Sequence, residues 1–273
     1  YRVVYGIYSN GLNNSVLLND VYDNLVGDTY GIFIYNSDYT MIDGNEASNN
    51  SEGIYLQNSF RSQLTNNTIL NNSNCGVLLS DSGGNTLNKC SIWGNNKGLA
   101  VVNSNTNLIY DNYFNNTINT ESDSSLNIWN TTLLLKSNII FGPYTGGNVW
   151  ANPDGTGLSQ TQEDVNHNGI SIFGYPINGE NIDYLPLLLN YQPHTITSLP
   201  GQSLPPTDPD GDGLYEDLNG DGAYSFDDVV SFFDHVDWIR ANEPIVAFDY
   251  SGNGDVGFED IVGLYDRYPS GGT

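Results

Sequence analysis

A short motif, glycine followed by alternating apolar residues, recurs along the first part of the chain. Its copies begin at Gly31, Gly53, Gly76 and Gly98, and a weaker first copy begins at Gly6. The motif thus returns once in roughly 22–25 residues, a period typical of a solenoid. In a solenoid each repeat forms one coil and buries its apolar face only against its neighbours.

Aligning the copies on their glycines brings apolar residues into four columns, at positions 1, 3, 11 and 16 after the glycine. Alternation with other residue types is typical of β-strands, and no copy contains the long 3.6-residue period of a helix. The columns are Ile7, Ile32, Ile54, Val77 and Leu99; Ser9, Ile34, Leu56, Leu79 and Val101; Leu17, Ile42, Leu64, Leu87 and Ile109; and Tyr22, Ala47, Ile69, Ile92 and Phe114. We therefore predict a mainly β fold. Its main domain is a right-handed parallel β-helix with three strands per coil over residues 1–192, ending in irregular coils.

Polar residues form columns of their own at the corners between the predicted strands. Stacked Asn side chains can satisfy each other's amide groups, and Asn tolerates the left-handed backbone of a sharp corner. The two columns are Ser37, Ser59, Ser82 and Ser104, and Asp20, Asn45, Asn67, Cys90 and Asn112. Because Cys75 lies on a different corner from Cys90, we predict two buried thiols rather than a disulfide.

The repeat and the segments that close it resemble a known family. The pattern Gly-Ile-x-Leu-x-x-Ser, followed by Asn-Asn-Thr or Asn-Asn-Ser, is similar to the NosD-type, or CASH-domain, β-helix repeat of archaeal surface proteins. Such domains end with segments similar to Trp-Asn-Thr-Thr at 129–132, Gly-Pro-Tyr-Thr-Gly-Gly-Asn-Val-Trp at 142–150 and Ile-Asp-Tyr-Leu-Pro-Leu at 182–187. The resemblance covers residues 1–190. It implies a β-helix and a place outside the cell, and it fixes no single activity.

Net charge excludes some classes of partner. The chain contains 32 acidic and seven basic residues, which gives a formal net charge of −25. Binding to nucleic acid or to an anionic membrane needs a basic surface, so neither is expected. No signal peptide or transmembrane run is recognisable, so either a leader has been removed or the chain is a piece of a longer protein. The acidic balance suits divalent cations, although it can also serve solubility alone.

Outward positions of the first predicted strand carry an aromatic stripe. Its residues are Tyr8, Phe33, Tyr35 and Tyr55. Exposed aromatic rings can stack on sugars or contact a neighbouring subunit, although aromatic residues also suit a pleated surface for packing reasons alone.

Asn-x-Ser/Thr triplets recur along the repeats, and several lie at exposed turns. The triplets begin at Asn13, Asn49, Asn66, Asn71, Asn115 and Asn130. Triplets of this kind arise by chance in a chain rich in Asn, but attached glycan would place the protein outside the cell. We expect an extracellular glycoprotein.

The segment 208–273 holds half of the acidic residues, 16 against two basic ones. From Asp217, oxygen-bearing residues stand at positions 1, 3, 5, 9 and 12 of a loop, with Gly at position 6, and the same spacing begins again at Asp249. This spacing wraps the six to eight oxygen ligands of calcium around one centre, so two calcium sites are predicted. Their residues are Asp217, Asn219, Asp221, Ala223, Ser225 and Asp228, and then Asp249, Ser251, Asn253, Asp255 and Asp260.

Each loop leads into a segment with helical spacing, without the entering helix of a full EF-hand. A loop and helix repeated twice resembles a type I dockerin module over residues 208–268, which implies docking to a cohesin-like protein. The helical faces carry few basic residues, unlike those of many cohesin-binding dockerins. The acidic lead-in resembles the archaeal variety and is a candidate third calcium site, with the ligands Asp208, Asp210, Asp212 and Glu216.

Two other segments complete the domain prediction. Residues 193–207 are rich in proline and lack periodicity, which predicts a semi-rigid linker to a calcium-binding domain at 208–273. Within the irregular coils, Asp164, Asn166 and Asn168 alternate ahead of Gly169, which is half of a calcium loop. It lacks a late carboxylate and is the weaker candidate.

Three classes of function remain open. An enzyme that processes polysaccharide is disfavoured because the regular coils contain no paired-carboxylate motif and no histidine. A structural protein that assembles with its own copies or with a cohesin-like partner, into a filament or surface scaffold, is favoured. A carbohydrate-binding module is the third class.

Overall fold

The computed structural model describes residues 4–24, 29–123, 125–191 and 195–268. The start of the predicted linker, at 193 and 194, lies outside these residues. The chain divides into two compact units, one formed by the coils through residue 190 and the other by residues 191 onwards together with 165–168.

Three parallel sheets run along the first unit, and each regular coil contributes one strand to each sheet. The first sheet contains β1 (Val4–Asn10), β4 (Thr29–Tyr35), β7 (Glu52–Gln57), β10 (Cys75–Ser80), β13 (Lys97–Val102) and β16 (Ile118–Ser122). The second contains β2 (Ser15–Leu17), β5 (Met41–Asp43), β8 (Gln63–Thr65), β11 (Thr86–Asn88) and β14 (Leu108–Tyr110). The third contains β3 (Asp20–Tyr22), β6 (Glu46–Ser48), β9 (Thr68–Leu70), β12 (Ser91–Trp93), β15 (Tyr113–Asn115) and β19 (Val149–Ala151). The predicted parallel β-helix is thereby confirmed, as a solenoid of right-handed type with about five turns.

Apolar side chains fill the solenoid in the predicted columns from the second coil onwards. Ile32, Ile54 and Leu99 are fully buried, and each pairs in register with its neighbour one coil along. The first coil differs by one residue, because Val16 and Val21, not Leu17 and Tyr22, are buried there. The first coil has one residue fewer between its glycine and the following corner than the later coils have. The inward-pointing positions after that corner therefore lie one residue earlier in the sequence.

The corners are held by ladders of polar side chains that run from coil to coil. The backbone N–H of Ser37 donates to Ser59 Oγ at 3.1 Å, and that of Asn45 donates to Asn67 Oδ1 at 2.9 Å. Asn19, rather than the predicted Asp20, begins the asparagine ladder because of the same one-residue shift. Two further ladders were not predicted. They run through Asn50, Asn72, Asn95 and Asn116, and through Ser62, Asn85, Asn107 and Asn127.

Aromatic rings close the core after the regular coils. Trp150 stacks on Phe114 with ring centroids 4.9 Å apart, and Tyr175 stacks on the opposite face of Trp150 at 4.2 Å. The closing segment contains β17 (Leu134–Leu135), β18 (Tyr144–Thr145), α1 (Leu158–Thr161), β20 (Tyr175–Asn178) and β21 (Asn181–Asp183). Both cysteines are free and buried, as predicted.

The named elements of the second unit are helices joined by long loops. It contains α2 (Phe226–Asn242), a 3-10 turn (Ile245–Ala247) and α3 (Phe258–Arg267). Phe232, Ile239 and Leu264 project from the two helices into a core that also contains Leu218 and Phe248. Among the described residues, no helix is both long and apolar enough to cross a membrane.

Candidate functional site

The first predicted calcium loop curls around its own carboxylates. Asp217 accepts hydrogen bonds from the backbone N–H groups of Asp221 (3.0 Å) and Gly222 (2.8 Å). Asp228, in the first turn of α2, reaches back and accepts from the N–H groups of Asn219 (3.2 Å) and Ser225 (2.7 Å). The carboxylates at the first and twelfth positions of the loop are therefore both held by backbone N–H groups of the loop.

The second loop repeats this arrangement. Asp249 accepts from the N–H groups of Asn253 (3.0 Å) and Gly254 (2.7 Å). Asp260, in the first turn of α3, accepts from the N–H groups of Ser251 (2.8 Å) and Gly257 (2.7 Å). The two loops therefore share the same hydrogen bonds at equivalent positions.

The loop carboxylates fit a hard cation. Asp217, Asp228 and Asp260 are each fully buried, and within the described part of the chain none of the three forms an ion pair with a basic side chain. A buried charge without a partner is costly, and a bound cation would offset that cost. The side chain of the predicted ligand Asp255 instead pairs through Oδ2 with Arg240.

The acidic lead-in forms a tighter cluster than either loop. One carboxylate oxygen each from Asp208, Asp210, Asp212 and Glu216 lies within 4.8 Å of the others. Burial, and then the charges of the three aspartates, raise the pKa of Glu216 to about 7. Arg267, at the end of α3, donates to Asp212 Oδ2 at 2.9 Å.

The weaker calcium candidate, at 164–168, forms a turn of its own. Asp164 Oδ2 accepts a hydrogen bond from the N–H of Gly169 at 2.9 Å, as expected of a tight turn. Asn168 is buried, and Asn166 is half-buried.

Both helices of the second unit expose an apolar stripe that sequence reasoning missed. Each stripe has three exposed residues at helical positions i, i+4 and i+7, and the two sets stand at equivalent places after the two loops. The apolar stripes are Phe226, Val230 and Phe233 on α2, and Phe258, Val262 and Tyr265 on α3. The rings of Phe226 and Tyr265 meet edge to face at 6.4 Å, so the stripes adjoin at that point. The two stripes are separated along the sequence by the same number of residues as the two loops. This repeat is visible in the sequence, and the stripes could have been predicted from it.

Six aromatic rings cluster on the outer face of the first sheet. The aromatic patch contains Tyr5, Tyr8, Tyr30, Phe33, Tyr35 and Tyr55. Phe33 contacts the other five rings at centroid distances between 4.9 and 5.8 Å. The sequence had suggested that Phe33 is exposed, and this prediction is wrong. The tyrosines around Phe33 reduce the exposed fraction of its side chain to 6%. Tyr8 and Tyr5 are the most open rings, at 49% and 39%.

A groove of about 400 Å³ lies farther along the same outer face. Cys75, Leu78 and Ala100 form part of its lining, and Lys97 and Glu121 form an ion pair within it. Burial raises the pKa of the Cys75 thiol to about 12, so a thiolate nucleophile is not available there at neutral pH. The groove presents an ion pair beside an apolar surface.

The glycosylation candidates lie on the surface of the solenoid. Asn13, Asn49, Asn66 and Asn71 are exposed, and each adopts a positive φ near 55° at a corner. Asn115 and Asn130 are half-buried.

Stacked parallel coils with polar ladders define the first unit as a β-solenoid. Residues 2–155 match the family model described as periplasmic copper-binding protein (NosD). This match covers more than half of the chain, and the chain belongs to the NosD family. No curated protein matches the sequence significantly.

Solved structures with some likeness include the periplasmic alginate epimerase AlgG, at 23% identity and a TM-score of 0.39, over 55% of this chain and 36% of AlgG. A variant of AlgG is 27% identical over 45% of this chain and 31% of its own, with a TM-score of 0.37. The pentapeptide repeat protein HetL from the cyanobacterium Nostoc sp. strain PCC 7120 is 9% identical, over 47% of this chain and 67% of HetL, with a TM-score of 0.17. The chain spans about a third of the length of AlgG.

The copper in the family's description does not fit the residues of the matched segment. Copper prefers imidazole, thiolate and thioether ligands. The segment contains no histidine and a single methionine, Met41, and burial raises the pKa of both of its thiols, Cys75 and Cys90, to about 12. Among the described residues, neither thiol belongs to a group of side chains close enough to share a metal ion.

Proposed function

We propose that this chain is a non-catalytic protein of the cell exterior or periplasm, in which a rigid β-solenoid carries a calcium-folded module that docks onto another protein. The periplasmic description of the NosD family and the exposed Asn-x-Ser/Thr triplets support the location. The resemblance of the second unit to a type I dockerin supports the docking role.

The two exposed apolar stripes on α2 and α3 are the observation that carries this proposal. Val230 and Val262 are 44% and 46% exposed, and each lies at the centre of three apolar side chains on one helix face. Apolar residues grouped on a small folded unit mark a surface for protein interaction. The first turn of each helix contains the carboxylate that would close a calcium loop, Asp228 or Asp260, so calcium would fix the helices that display the stripes.

Charge favours a particular chemistry for the partner. Exposed acidic side chains flank the apolar stripes. They include Asp227, Asp234 and Glu259. A second copy of this chain also has a net charge of −25, which opposes close approach. The partner is therefore a different protein that offers an apolar surface with a basic rim, and a cohesin-like module is the first probe.

The docking proposal predicts calcium-dependent binding to such modules. We expect the full chain to bind an immobilised cohesin module in calcium, to lose binding in chelator, and to lose at least tenfold in affinity when Val230→Asp and Val262→Asp are combined. Surface plasmon resonance measures each effect. Val102→Asp changes a valine of the solenoid that is 44% exposed and should leave binding unchanged.

Other outcomes of this experiment would indicate a different partner or no docking role. Calcium-dependent dimers or filaments of the chain alone, abolished by the double variant, would replace the foreign partner with a second copy. Absence of both kinds of association, across cohesins with basic rims, would contradict a docking role.

The aromatic patch favours carbohydrate binding as a second function of the solenoid. Tyr5 and Tyr8 are the most exposed rings of the patch, and exposed aromatic rings on a sheet suit stacking against sugar rings. We expect polysaccharide to retard the chain in affinity electrophoresis, and Tyr5→Ala combined with Tyr8→Ala to abolish the retardation. Trp93→Ala, at a 40% exposed ring of another sheet, is the control. Equal migration with and without a panel of neutral and acidic polysaccharides would contradict this function.

A further inference from the structure

We infer that residues 208–216 form a third site for a hard divalent cation, best suited to calcium, separate from the two twelve-residue loops. The four acidic residues of the segment, Asp208, Asp210, Asp212 and Glu216, each place a carboxylate oxygen within 4.8 Å of the others. Such a group of oxygens surrounds a space of the size that one ion occupies.

Glu216 provides the independent observation. Its side chain is only 6% exposed, and its Oε2 is buried without a hydrogen-bond partner. A buried carboxylate oxygen without a partner carries a desolvation penalty, so such atoms are normally satisfied. Because this carboxylate also contributes an oxygen to the acidic group, an ion bound there by both oxygens of Glu216 would satisfy Oε2.

The excess of negative charge in the segment also favours a bound cation. Four carboxylates gather here, whereas one basic side chain, Arg267, contacts the group, at 2.9 Å from Asp212 Oδ2 and 3.6 Å from Glu216 Oε1. A divalent cation would offset most of the remaining negative charge. The oxygen-only ligands select a hard cation, and an irregular loop suits the flexible coordination of calcium better than the strict octahedron of magnesium.

The site would differ from the two loops in its closing residue. Glu216 stands at the ninth position from Asp208, whereas an aspartate closes each loop at the twelfth position. The longer glutamate side chain compensates for the shorter loop. Through Arg267 an ion here would also connect the lead-in to the end of α3.

Counting bound ions tests the inference. The full chain is freed of metal by chelation and titrated with calcium chloride in a calorimeter, with total calcium measured after dialysis. We expect three ions per chain, and two in Glu216→Gln. Asp210→Ala removes an exposed ligand and should also give two, while Asp234→Ala on α2 should keep three.

A loop variant separates this inference from the proposed docking module. Asp249→Asn alone, which leaves the first loop in place, should leave two ions. Two ions in the parent chain, unchanged by Glu216→Gln and Asp210→Ala, would overturn the third site and leave the loops intact. One ion in the parent chain, retained by Asp249→Asn and lost in Asp210→Ala, would support the third site and overturn the loops. Circular dichroism confirms that each variant is folded.

Discussion

Removal of calcium is expected to unfold the second unit and to leave the solenoid folded. Asp217, Asp228 and Asp260 are fully buried, and without an ion their charges would lack a cationic partner. A ligand at a hundred times its dissociation constant stabilises a fold by about 2.7 kcal/mol per site, so two sites would contribute about 5 kcal/mol. Small domains have a total stability of about 5–15 kcal/mol, so this loss is comparable to the whole.

Helical circular dichroism provides a selective measurement of this effect. Helices α2 and α3 contain 17 and 10 residues, whereas the solenoid is built from short strands. Chelator should remove most of the helical signal at 25 °C, and calcium should restore it. Calorimetry should show a transition for the solenoid that chelator does not shift, and magnesium at equal concentration is the control. Helical signal and melting temperatures that are the same in calcium and in chelator would contradict the prediction.

The regular coils could be predicted because stacking imposes one rule on every copy. An inward position is apolar in each coil, so the columns from Ile32 onwards show in the sequence. The first coil could not be placed in the same way. Its chain is one residue shorter before the corner, and Val16 and Leu17 are equally apolar, so only packing decides which of them points inward.

The loops were recognisable for a similar reason, because a calcium-loop pattern constrains both residue type and spacing. The third-site carboxylates were also recognisable in sequence, but the burial of Glu216 and its contact with Arg267 depend on how α3 packs. The burial of Phe33 could not be predicted from its own strand. Alternation places its side chain outward, but rings from three different coils cover it.

The buried carboxylate of Asp183 was not predicted to be important, although it lies in the closing segment. Its Oδ2 accepts hydrogen bonds from Asn148 N (2.7 Å) and Trp150 Nε1 (2.9 Å), and its Oδ1 accepts from Leu185 N (3.0 Å). A Cβ added at Gly147 would lie 1.9 Å from Oδ1, so the backbone is packed directly against the carboxylate. One side chain thus joins the last rung of the asparagine ladder to the tryptophan that closes the core.

Asp183→Ala should therefore destabilise the solenoid strongly. Several buried donors would lose their acceptor at once, which is expected to cost about 3–5 kcal/mol in the free energy of unfolding. Urea unfolding followed by tryptophan fluorescence measures this loss. Asp154→Ala, at an exposed aspartate of the same segment, is the matched control and should leave the free energy of unfolding nearly unchanged. A loss as small for Asp183→Ala as for the control would show that the network is dispensable.

The same carboxylate should make the stability of the solenoid depend on pH. Burial raises the pKa of Asp183 to about 6, above the value of about 3.9 for an unfolded aspartate. Between these values the folded chain holds a proton that the unfolded chain has released, so the contribution of Asp183 to stability is greatest below about pH 4 and declines as pH rises through 6. Asp183→Asn keeps one acceptor oxygen and removes the titration. The free energy of unfolding of the parent chain, relative to this variant, should therefore fall by up to about 3 kcal/mol between pH 4 and 7, and a difference that does not change with pH would contradict a raised pKa.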